Sequence, residues 1–193
     1  MMTLTVISIN VKPQAYGTPK TEFSLEITPW NTRTPPWDYY VYVNWRDGVY
    51  QDNTYYGLTG NDMPIRWPWT HRYGASGSYD VIVAVRDLYD GSQLSATKTI
   101  TIKELAVDPL TADPSSGSPP LTVTFRSYVR DGWLPAYWVI DFGDGSSYGR
   151  YLDTMPGSIF VQHIYTGPGR YTATLTVVDA LGGEGEPVPP PPE

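Results

Sequence analysis

Cysteine is missing from all 193 residues, which excludes disulfides, thiolate zinc sites and cysteine nucleophiles and leaves the redox compartment open. Histidine is almost missing too. His71 and His163 are the only two, and because they fall in separate halves of the chain they assemble neither a His-paired triad nor a three-His metal site. No apolar run approaches the roughly 20 residues of a membrane helix. The first ten residues have neither a basic region nor a long apolar one, so they read as a first strand and not as a secretion leader. Lys and Arg are outnumbered, 13 against 20 Asp and Glu for a net charge of −7, and they form no basic run. Such a surface repels phosphate backbones, which sets nucleic acid aside as a partner. G-x-S-x-G, H-E-x-x-H and P-loop motifs are also absent. The expectation is no enzyme and no cofactor.

What the chain has is turn formers and rings: Gly 18, Pro 19, Tyr 16 and Trp 7. Helix formers never recur at helical spacing, so the fold class is all-β. Strands are predicted where apolar residues alternate. In the first half these are Phe23-Leu25-Ile27, Tyr39-Val41-Val43-Trp45, Tyr79-Val81-Val83-Val85 and Ala96 to Ile102. In the second half they are Leu121-Val123-Phe125, Trp138-Ile140-Phe142, Ile159-Val161 and Tyr171 to Asp179. Asp47-Gly48, Asp90-Gly91 and Asp144-Gly145 mark turns. Three stretches read as connections: Thr28 to Trp37, where Pro29, Pro35 and Pro36 argue against a sheet, residues 49–70 with room for a short strand, and Ser146 to Gly157. Residues 183–193, rich in Gly and Pro, read as an extended tail or linker.

The pattern occurs twice. Gly17-Thr18-Pro19 before Phe23 answers Gly117-Ser118-Pro119 before Leu121, and Asn44-Trp45-Arg46-Asp47-Gly48 answers Asp141-Phe142-Gly143-Asp144-Gly145. His71, Tyr73, Gly77, Tyr79, Val85 and Asp87 answer His163, Tyr165, Gly169, Tyr171, Val177 and Asp179 at one constant offset. A repeat of this kind implies tandem domains, with expected bounds 1–104, 105–182 and the tail 183–193.

Asp141-Phe142-Gly143-Asp144-Gly145, followed by His163-x-Tyr165-x-x-x-Gly169-x-Tyr171 and a strand ending at Asp179, resembles the signature of polycystic kidney disease (PKD) domains, a family of immunoglobulin-like β-sandwiches. The resemblance covers nearly all of 105–182. The first half is similar but divergent, with Asn44 and Arg46 where the motif has Asp and Gly. Where the family has Trp before the first Asp, this chain has Ile140, with Trp138 two residues earlier. The resemblance implies two tandem immunoglobulin-like sandwiches in which Trp138, Ile140 and Phe142 fill the core and Tyr171 and Tyr79 make tyrosine corners. It also implies extracellular or surface display as a spacer, adhesion element or accessory module.

Asp141 and Asp144 have the look of paired catalytic carboxylates, but in such a motif they are turn formers that accept from backbone N–H groups. Adding Asp153 does not make a calcium loop, since no D-x-D-x-D-G is present; the expected metal is none. The ligand or partner candidates are the rings of the first domain's connections, Trp30, Trp37, Tyr55, Tyr56, Trp67 and Trp69. Flat rings among Pro, Gly and Asn suit sugar stacking or a protein interface, and at least half of them are expected to be buried. The expected function is a non-catalytic structural protein of an extracellular assembly, most concretely a phage capsid decoration or other virion surface protein, partnered by a protein surface or a glycan and not inserted in a membrane. The alternative is a carbohydrate-binding or adhesion and spacer region of a secreted enzyme or cell-surface protein.

Overall fold

A computed structural model describes residues 4–66, 69–182 and 184–185. The chain divides into two units, Met1–Ile102 and Lys103–Glu193, and each has a hydrophobic core of its own.

Unit 1 contains β1 (Leu4–Lys12), β2 (Tyr16–Gly17), β3 (Phe23–Asn31), β4 (Trp37–Asn44), β5 (Tyr50–Leu58), β6 (Thr70–His71), β7 (Gly77–Asp87) and β8 (Gln93–Ile102). They form two sheets, β1-β3-β6 and β2-β8-β7-β4-β5. Period-two alternation decides what lies between the sheets. Phe23, Leu25 and Ile27 from β3 meet Tyr39, Val41 and Val43 from β4 and Val81, Val83 and Val85 from β7, all without exposure.

Unit 2 contains β9 (Ala106–Val107), β10 (Thr111–Asp113), β11 (Leu121–Asp131), β12 (Ala136–Asp141), β13 (Ser147–Leu152), β14 (Gly157–Tyr165), β15 (Thr174–Val178) and β16 (Glu184–Gly185). One sheet runs β10-β11-β14 with β9 also on β11, the other β13-β12-β15-β16. Trp138, Ile140 and Phe142 are 3%, 0% and 3% exposed, so all three fill the core of their unit, and the indole two residues before Ile140 supplies the aromatic bulk. β14 ends its sheet, and among the described residues its second edge has no strand partner.

Four expectations need correction. Thr28 to Trp37 is not wholly an excursion, because β3 continues through Pro29 and Trp30 to Asn31, paired with β1. The reason is an open edge. The Leu25 and Ile27 N–H groups donate to Trp69 and Ile65 carbonyls on the side away from β1, and two residues on, where β6 no longer runs, proline lacks only an N–H that had no strand to meet. Residues 49–70 contain the nine-residue β5, paired along β4. Ser146 to Gly157 likewise contains β13, paired along β12. The last long strand begins at Thr174 and not at Tyr171, whose side chain turns back to close a loop. Within the tail, Glu184–Gly185 pairs with β15; residues 183 and 186–193 lie outside the described residues.

Candidate functional site

The repeated turn gathers several side-chain hydrogen bonds in each unit. In unit 2, the Asp141 carboxylate accepts from Gly143 N–H at 2.9 Å and Asp144 from Ser146 N–H at 3.0 Å, while Phe142 N–H donates to Ser146 C=O at 3.1 Å. In unit 1, Asn44 accepts from Arg46 N–H at 2.9 Å, Asp47 from Val49 N–H at 3.2 Å, and Trp45 N–H donates to Val49 C=O at 3.0 Å. Asn serves where Asp stood because the task is only to accept from an amide, which a side-chain carbonyl does as well. The turn also needs a left-handed residue. Gly143 has φ 77° and Arg46 φ 70°. At Gly143 a Cβ would also lie 2.5 Å from Thr172 C=O, so glycine is required there on two counts.

A histidine locks each turn. His163 Nε2 lies 2.7 Å from Asp144 Oδ2, and His71 Nε2 lies 2.6 Å from Asp47 Oδ2. The His163 ring stacks on Phe142 at 4.0 Å and 4°, and His71 on Trp45 at 4.9 Å and 26°. Each histidine then meets a tyrosine edge-on, Tyr165 at 4.6 Å or Tyr73 at 4.7 Å. That tyrosine donates its hydroxyl to the turn carbonyl, Phe142 C=O at 2.8 Å or Trp45 C=O at 3.1 Å. Burial, first, and the nearby Asp144 and Asp47 charges push both phenols upward, so each remains a donor. A second tyrosine stacks on the first: Tyr171 on Tyr165 at 4.5 Å, Tyr79 on Tyr73 at 3.9 Å. Its hydroxyl bonds backbone four residues upstream, Gly167 C=O or Ala75 C=O. Gly169 leaves space for the Tyr171 ring, since a Cβ there would meet it at 3.1 Å. The Ser146 hydroxyl and the His163 imidazole hold the Asp144 carboxyl down at about 2.

Asp179 and Asp87, which close their strands, are 5% and 1% exposed. Asp179 accepts from Trp133 N–H and Leu181 N–H, each at 3.0 Å. Asp87 accepts from Tyr89 N–H at 2.8 Å and from the Asn31 amide, with Arg33 at 3.4 Å. Both buried carboxylates tie a loop to the sheet. Asp153 instead pairs with Arg150, so Asp141, Asp144 and Asp153 do not converge. Among the described residues, no three His, Asp or Glu side chains gather as a metal site requires, and no helix is long and apolar enough to cross a membrane.

The ring candidates disperse. Trp69 has no exposure and lies in the core, tilted against Tyr55 at 6.3 Å, so its ring is a packing residue and offers no face to a ligand. Tyr55 and Trp37 are half-buried against the same core, and Trp37 Nε1–H donates to Arg33 C=O at 2.9 Å. Trp30 and Tyr56 are exposed, at 62% and 74%. Trp67 lies outside the described residues. Of the five rings described, Trp69 is buried, Trp37 and Tyr55 are half-buried, and Trp30 and Tyr56 are exposed, so they form no single surface. Missed from sequence were the outward tyrosines of β4 and β5. Tyr40 and Tyr42 are legible as the second face of an alternating strand, but solvent-facing rings carry no periodic signal of their own, and Tyr50 lies on a strand that shows no alternation.

Two sheets closing over one core, with a buried aromatic strand and a tyrosine corner, define an immunoglobulin-like β-sandwich. Within that class, residues 109–186, which lie in unit 2 and include the motif Asp141 to Tyr171, match the family model of the PKD domain. The chain is also similar to a solved structure, the human OSCAR ligand-binding domain, with 14% identity over 92% of each chain and a TM-score of 0.34.

Proposed function

We propose that the chain is a non-catalytic interaction module displayed outside the cell on a larger assembly, with a virion surface such as a phage capsid the most concrete case. The observation that carries this reading is the use to which the acid–histidine pairs are put. Asp144–His163 and Asp47–His71 are the arrangements with most catalytic potential, and both are spent on locking a turn, with each histidine wedged between rings. A general base needs an open side facing a substrate. The PKD match over 109–186 supports an interaction or adhesion role for the second unit. Immunogold labelling with an antibody to this chain tests the placement. Grains on particle or cell exteriors are expected, and label confined to the cytosol would refute the display.

A second reading, a carbohydrate-binding or adhesion region of a secreted protein, is favoured by the two rings that remain outside, Trp30 and Tyr56. Polysaccharide or partner capture by the Trp30→Ala and Tyr56→Ala variants, compared with the parent, tests that use of the loops.

A further inference from the structure

The outer face of the β5-β4-β7-β8 layer holds side chains that the fold itself does not use. Tyr40 and Tyr42 point away from the core, two residues apart on β4, which spaces their backbones by about 7 Å. Across the ladder, Tyr40 pairs with Arg86 and Tyr42 with Ala84 on β7, and Arg86 and Ala84 pair in turn with Gln93 and Ser95 on β8. Ala84 is short where its neighbours are long. A cup of about 150 Å³ therefore opens, lined by Tyr40, Tyr42, Ala84, Arg86 and Gln93, room for about five waters. On the opposite flank Asp52, the partner of Tyr42 on β5, accepts from the Tyr40 hydroxyl at 3.1 Å. Tyr50, 66% exposed, extends the ring surface beyond Tyr42 at 6.3 Å and 28°.

The composition of the cup selects its ligand. Two phenol faces offer flat apolar area at low entropic cost. The rim offers a carboxylate acceptor, a forked guanidinium donor and an amide that does both, which suits adjacent hydroxyls that themselves donate and accept. One negative and one positive charge cancel, so a neutral ligand fits better than a phosphate or a uronate. A proline-rich peptide needs successive apolar grooves, whereas this cup is one ring wide with polar ends. The larger hollow of unit 2 is less suited, because its cations are engaged: Arg130 pairs with Asp108, and Arg126 lies 5.5 Å over Phe160.

We propose that this cup is a subsite for one pyranose ring of a neutral polysaccharide, with Tyr40 and Tyr42 flanking the ring and Asp52, Arg86 and Gln93 bonding its hydroxyls. The inference rests on the interaction-module reading and moves glycan contact from the loops to a sheet face.

Native affinity electrophoresis of the full chain through gels containing xyloglucan, galactomannan, hydroxyethylcellulose or dextran is the test. Retardation in at least one gel is expected, insensitive to added salt and roughly tenfold weaker in Tyr42→Ala and in Ala84→Arg. Both substitutions project from the outer face, and an unchanged melting temperature verifies the fold. No retardation in any gel would overturn the proposal, as would retardation abolished by salt or kept by both variants. Loss on Trp30→Ala or Tyr56→Ala with Tyr42→Ala unaffected would also overturn it, by assigning the sugar to the loops. Display on an assembly is decided separately by the labelling experiment, so a failed sugar test and a failed display test are distinguishable.

Discussion

Arg46 holds a backbone conformation that its repeat partner Gly143 holds without strain, at nearly equal φ. A side chain in the left-handed region costs about 1–2 kcal/mol and glycine's extra entropy returns part of that. Arg46→Gly is expected to stabilise unit 1 by about 0.5–1 kcal/mol, read as a rise in urea midpoint. Gly143→Ala should destabilise unit 2 by about 2 kcal/mol or more, since strained φ and a clash with Thr172 C=O add together. Asp144 makes a prediction in pH. Its native carboxyl, held at about 2 by Ser146 and His163, binds a proton less tightly than in the unfolded chain, where carboxyls titrate near about 4. The stabilisation is therefore full above about pH 4 and is lost as pH falls towards about 2. Urea midpoints across that window should fall less steeply in Asp144→Asn than in the parent. Glu26, held at about 2 by Lys12, Arg66 and Asn10, adds to the same acid limb in unit 1.

At the scale of elements, Trp69 and Trp30 separate packing from surface. Trp69 is wholly buried and its carbonyl accepts from Leu25 N–H, so Trp69→Ala is expected to cost about 3–5 kcal/mol. Trp30→Ala should stay within about 0.5 kcal/mol, with chemical denaturation checking both. The same contrast explains what could be read from the sequence. β4, β7 and β12 were legible because each buries one full face and so shows a clean alternation. β5 and β13 were not. Each follows the repeated turn and forms the outermost strand of its sheet, and Tyr50 to Leu58 has no fully buried residue while Ser147 to Leu152 has only Leu152. A strand that covers little core leaves no apolar period to find. Pro29 misled for a related reason, since its position on an open edge made its missing N–H harmless. The turn, the histidines and the two tyrosine corners were legible as a motif because specific side-chain contacts fix each residue type at its position. The cup on β4 was not, because it arises from residues on four strands whose juxtaposition depends on register.

Over the whole molecule, the two cores share no residue, so calorimetry of the full chain is expected to resolve two transitions. Trp69→Ala should lower one of them and leave the other in place; a single transition shifted as a whole would refute independent folding. One edge bears on how closely such molecules tolerate being crowded. β14 presents nine residues, Gly157 to Tyr165, without a Lys, Arg, Asp, Glu or Pro among them, and with Phe160 and Ile164 outward at 58% and 54% exposure. Nothing along that strand repels another strand laid beside it. The net charge of −7 opposes such encounters only at long range and weakens with salt. Solubility should therefore fall with ionic strength, and Ile164→Lys should restore it without altering the melting temperature. The tolerance of this chain for close neighbours is therefore expected to depend on one uncharged strand edge and not on net charge alone.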